Sequence, residues 1–122
     1  MRLAAWYGVL VAMLVFAQWI FFIASGNVPE FEDAPREIAF HIAAEMAMAL
    51  VLLAGSIAVL QRRAWGALLY LVGAGMVIYS VINSPGYFAQ AGDWGLMAIF
   101  MVLLVLTVCA VVLVVRAGVR SR

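Results

Sequence analysis

His41 and Glu45 are the residues of this chain whose types and spacing could do chemistry: an imidazole and a carboxylate one helical turn apart, inside a long apolar run. Ionisable groups at membrane depth are expensive to hold there, so they mark candidate functional sites. On an α-helix Glu37, His41 and Glu45 fall within about 80° of one face, and Met48 and Leu52 continue that stripe. The Cβ atoms of His41 and Glu45 are then roughly 6 Å apart, near enough for a hydrogen-bonded or ion-paired contact. Burial disfavours charge on either group alone, whereas pairing favours charge on both, so the pattern leaves the protonation state open.

Several readings of the pair follow from its chemistry. The plainest is structural: a mutually satisfied polar contact that fixes helix packing, worth about 0.6 kcal/mol per hydrogen bond in a membrane. Another is proton- or cation-coupled transport through Glu45. A third is a metal ion held by His41 and Glu45 with Met48 or Met76, although side chains at i and i+4 supply only half of a coordination shell. A fourth is haem or quinone binding through His41, which offers one axial ligand per chain.

The elements that must position these residues are set by composition. In 122 residues, 69% are hydrophobic and 11% charged, and the mean hydropathy is +1.16. These values lie far outside the range of water-soluble domains. A spanning helix needs roughly 20 mostly apolar residues, and residues 4–25, 38–60, 64–82 and 94–115 each qualify. The expected fold is an all-α integral membrane protein, a single domain built as a four-transmembrane-helix bundle. Its first apolar run is too long for a signal-peptide core of about 7–15 residues, so it reads as an uncleaved span. No room remains for a soluble catalytic domain, and a net charge of +1 gives none of the basic surface that nucleic acid requires.

Charge orients the bundle. Arg2, Arg62, Arg63, Arg116, Arg120 and Arg122 fall on one side of a four-span arrangement, and only Arg36 on the other. The positive-inside rule then predicts a cytoplasmic N-terminus and C-terminus, in what reads as a prokaryotic cytoplasmic (inner) membrane. The opposite side carries an acidic loop, with Glu30, Glu32, Asp33 and Glu37 close together. Asp33 before Pro35 predicts an N-cap with proline in the first turn of span two. Ser84 before Pro85 predicts a helix end, and Asp93 before Trp94 predicts the cap of span four. Trp6, Tyr7 and Trp65 are expected at the inner interface, and Trp19, Tyr87 and Trp94 toward the outer one.

Small residues suggest how the helices pack, since lipid offers no hydrophobic drive to bring them together. Ala39, Ala43 and Ala47 recur every four residues on span two, Gly8 and Ala12 do so on span one, and Gly66 and Gly73 lie a heptad apart on span three. The lone Cys109 reads as buried and inert.

Depth ties the pair to other helices. At about 1.5 Å per residue, Glu45 and Gln18 fall near the same level, with His41 shallower and Tyr79, Ser80 and Asn83 in the same outer layer. If these polar groups face inward, they form a pocket reached from outside, beneath the acidic loop. Below that layer the spans offer only Ser56, Thr107 and Cys109, so no polar path continues to the other side.

No hydroxyl nucleophile has a free base partner, because the only histidine faces Glu45. Zinc-protease and phosphate-loop patterns are absent. An enzyme would need a lipid-soluble substrate and a bound cofactor, and the pattern points instead to a non-catalytic role. In size and span number the chain resembles, in outline, the small multidrug resistance transporters and the DoxX-like membrane proteins. The glutamate that marks the first span of the former is absent here, where Gln18 is the strongly polar interior residue. The expected function is binding or transport of a cation, proton or small polar ligand through His41 and Glu45, with Gln18, Tyr79 and Asn83 as further contacts. The alternative is a non-catalytic accessory or structural subunit of a larger membrane complex, respiratory for example, or a homo-oligomer, with the polar cluster purely structural.

Overall fold

A computed structural model describes residues 1–120 of the chain, leaving out the side chain of Tyr87. Arg122 and the Tyr87 ring therefore lie outside the described residues. Among those described, all regular structure is helical: α1 (Arg2–Ala24), the single turn α2 (Glu30–Asp33), α3 (Pro35–Leu60), α4 (Gly66–Asn83), the short α5 (Pro85–Gln90) and α6 (Trp94–Arg120). Four helical segments are long and apolar enough to cross a membrane, the third running through α4 and α5 as Gly66–Gln90.

Local chemistry explains most of the element ends, with two corrections. Asp93 caps α6, its Oδ1 accepting the Leu96 N–H at 3.2 Å. Asp33 does not cap α3: it closes α2, and the residue before α3 is Ala34, which has no capping side chain. Pro35 does open α3, where its missing N–H would have had no helical partner. α4 does end at Asn83 with Ser84 as its C-cap, but Ser84 does not depart from helical geometry. It keeps helical angles (φ −64°, ψ −38°) and its N–H donates to Ser80 O at 2.8 Å. Pro85 begins a new helix at a position needing no N–H, so the bias against a helical residue before proline is overcome. The turn from α3 to α4 passes through Arg62 in the left-handed region (φ 58°), a common way to end a helix.

The long helices alternate in direction. Arg2, Arg62, Arg63, Arg116 and Arg120 therefore sit at one end of the bundle and Glu30, Glu32, Asp33, Glu37 and Asp93 at the other, here the arginine end and the acidic end. α3 packs along both α1 and α4, α6 packs mainly on α4, and α1 touches α6 only lightly. That light contact centres on Tyr7. Thr107 donates to the Leu103 carbonyl at 2.7 Å, which makes Tyr7 the donor to Thr107 at 2.8 Å.

Backbones approach closest in the arginine half. Gly8 abuts Ser56 and the Tyr70 ring, and a Cβ on Gly66 would sit 2.7 Å from the Ala58 carbonyl carbon. A Cβ on Gly73 would sit 2.7 Å from Leu52 Cα. Tyr70 is buried at 1% exposure and donates to Ala4 O at 2.7 Å, tying α4 to α1.

Gly8, Ala12, Gly66 and Gly73 are thus buried as their spacing predicts, but Ala39, Ala43 and Ala47 are exposed. Helical geometry makes the two stripes of α3 incompatible. Ala43 and Ala47 point about 200° around the axis from Glu45, so turning Glu45, Met48 and Leu52 inward turns the alanines out. Cys109 is likewise exposed, because α6 faces the bundle through Thr107, Ala110 and Val114. Trp6, Trp65 and Trp94 are exposed as interfacial rings would be, whereas Trp19 is buried at 9% exposure and Tyr7 is half-buried against α6.

Candidate functional site

Above the glycine contacts the helices separate and leave a cavity of about 560 Å³ toward the acidic end. Its deepest walls are Val11 of α1, Met48 of α3, Val77 of α4 and Leu103 of α6, near the middle of each helix. Phe88 of α5 and Phe100 of α6, stacked with ring centroids 5.7 Å apart, form part of another wall.

Glu45 is the residue around which the polar groups gather. Its side chain is 11% exposed, and Ser80 donates a hydrogen bond to Oε1 at 2.6 Å. That short hydrogen bond joins α3 to α4. His41 Nε2 lies 3.9 Å from the same oxygen, beyond hydrogen-bond reach. Its ring, whose side chain is 42% exposed, stands edge-on to Trp19 with centroids 5.7 Å apart and planes at 69°. The nearest hydrogen-bonded partner of the carboxylate is therefore on a neighbouring helix, and the imidazole stays at the cavity wall.

Gln18, Glu37, His41, Glu45 and Asn83 all line the cavity. Tyr79 does not; it is 72% exposed and borders a second, smaller hollow of about 470 Å³ between α3 and α4. His41, Glu45, Ser80 and Asn83 border both spaces, so they form a polar partition between an interior cavity and an outer groove. Ser80 and Trp19 are the residues that motif reasoning undervalued. A signal for Ser80 was present: Gly66 and Gly73 are a heptad apart, and seven residues further along the same buried face is Ser80, not Tyr79. Trp19 resembled an interfacial ring in sequence, yet its indole N–H is buried with no hydrogen-bond acceptor, and Trp19 lines the cavity.

Chemically the cavity is an apolar chamber with carboxylates and amides on one side. Among the described residues, no three of His, Cys, Asp and Glu converge to hold a metal ion. His41 and Glu45 could contribute two ligands of a shell, and Met48 borders both hollows.

The chain belongs to the family described as Domain of unknown function (DUF8058), whose sequence profile matches residues 1–122. No curated protein and no solved structure matches the chain.

Proposed function

We propose that this member of the DUF8058 family is a small membrane protein that binds, and moves or senses, a cation or small polar ligand in its acidic-end cavity, with Glu45 as the primary contact. One observation carries the reading. Glu45 is nearly enclosed, held by the Ser80 hydroxyl, and stands at the wall of a chamber large enough for a ligand. A carboxylate needed only for packing would be expected to have its space filled, because an uncompensated charge beside apolar walls is costly. Gln18, His41 and Asn83 border the same chamber and supply further polar contacts. The arginine bias of one end supports an orientation with that end in the cytoplasm of a prokaryotic cell and the cavity opening outward.

The test is calorimetric titration of the purified protein in lipid nanodiscs with sodium, potassium, calcium and guanidinium salts, comparing wild type with Glu45→Gln. At least one cation binds the wild type, and the variant loses tenfold or more in affinity while keeping its melting temperature within a few degrees. Equal binding by both proteins would sink the reading.

A further inference from the structure

The chamber is open on one side at the depth of the hydrocarbon. α1 and α6 meet at Tyr7, Leu103 and Thr107, and toward the acidic end the cavity occupies the space between them, bordered by Leu14 and Gln18 from α1 and Phe100 from α6. Leu14 lines the cavity yet is 54% exposed, at the middle of a 23-residue helix. A wall residue so exposed at mid-helix places a mouth where lipid chains would be. Whatever enters there must first dissolve in the bilayer.

The charges on the lining select what enters. Glu30, Glu37 and Glu45 border the cavity together with His41, and among the described residues no arginine does. Gln18 and Asn83 add amide carbonyls, which accept hydrogen bonds. A primary ammonium has three N–H donors that match a carboxylate and two carbonyls, and a positive charge that the carboxylates attract. The rest of the lining, including Trp19, Phe22, Phe88 and Phe100, suits an aromatic or aliphatic body and offers ring faces to a cation.

We infer that the cavity takes a membrane-dissolved primary amine in its ammonium form, with the head beside Glu45 and the apolar body toward the gap between α1 and α6. This rests on the cation-binding reading of Glu45 and names the class of cation.

Three probes separate the two ideas: 4-phenylbutylammonium, methylammonium, which lacks the body, and 4-phenylbutanol, which lacks the charge. Each is titrated against wild type, Glu45→Gln and Glu37→Gln in nanodiscs, with empty nanodiscs subtracted. The inference expects 4-phenylbutylammonium to bind at least tenfold tighter than either other probe. Glu45→Gln loses at least tenfold of that affinity, Glu37→Gln loses two- to threefold, and neither changes 4-phenylbutanol. Glu37 is exposed in the first turn of α3, so its variant carries the test if Glu45→Gln does not fold.

Methylammonium binding as tightly as 4-phenylbutylammonium, with both lost in Glu45→Gln, overturns the amphiphile and leaves the cation site standing. Equal binding of 4-phenylbutanol, indifferent to Glu45, overturns both. Binding of none of the three overturns the amine, and the inorganic and guanidinium titrations then judge the cation site alone.

Discussion

The two halves of this bundle solve opposite problems with the same four helices. In the arginine half, Gly55, Gly66 and Gly73 bring backbones into contact, Gly8 makes room for the Ser56 and Tyr70 side chains, Tyr70 bonds to a carbonyl of α1, and Tyr7 of α1 bonds to Thr107 of α6. Toward the acidic end the glycines pack loosely: a Cβ on Gly26, Gly86 or Gly92 would meet nothing within 4 Å, and one on Gly95 only Asp93 Oδ1 at 3.7 Å. There the helices diverge around a cavity whose hydrogen bond between spanning helices, Ser80 to Glu45, engages an ionisable group. Without a hydrophobic drive between helices in lipid, close packing and hydrogen bonds must supply cohesion. Concentrating them in one half frees the other to stay open.

Substitutions of one chemical kind therefore have opposite effects at packed and at open positions. Gly73→Ala has the largest expected effect, because the new methyl would collide with the Leu52 backbone. We expect a loss of about 2–3 kcal/mol, read as a lower midpoint of unfolding in detergent. Wild-type stability in this variant would break the comparison. Tyr70→Phe comes next: losing the bond to Ala4 O costs about 1 kcal/mol, and a double variant with Ala5→Gly tests whether α1 is what loosens. Gly75→Ala, two residues along α4 from Gly73, is the smallest and has the opposite sign. Open space surrounds it, so alanine gains about 0.5–1 kcal/mol from reduced backbone freedom in the unfolded chain. Gly75 is exposed, about 200° around the axis from Gly73, so a destabilised Gly75→Ala would show that this outer face of α4 is packed after all.

These contrasts were only partly readable from sequence. Hydropathy exposes four long helices because lipid and water demand different side chains, and that demand repeats over some twenty positions. The direction each helix faces is a weaker signal. On α3 the alanine stripe and the Glu37–His41–Glu45 stripe both suggested an inward face, and only the position of α4 decides between them. The helix end at Ser84 was legible, but its helical angles were not, because a local bias before proline is small against continued helical bonding. The position of Glu45 beside a cavity followed from its cost in lipid, but its partner did not. The i, i+4 neighbour His41 is visible in one dimension, whereas Ser80 comes from another helix 35 residues away. Tyr70 was overlooked for a similar reason: an isolated hydroxyl in an apolar helix reveals nothing until the facing carbonyl, here that of Ala4, is known.

The heptad from Gly66 through Gly73 to Ser80 has a consequence for tolerance. Val77 and Val81, which flank Ser80 on α4, are buried in the core, and α4 is seated on α3 by backbone contacts at Gly66 and Gly73. The Ser80 hydroxyl is thus aligned like the free end of a cantilever, its position set by a mounting one and two heptads away on α4. A slip of a single residue at that mounting would present Val81 or Tyr79 to Glu45 in place of the hydroxyl.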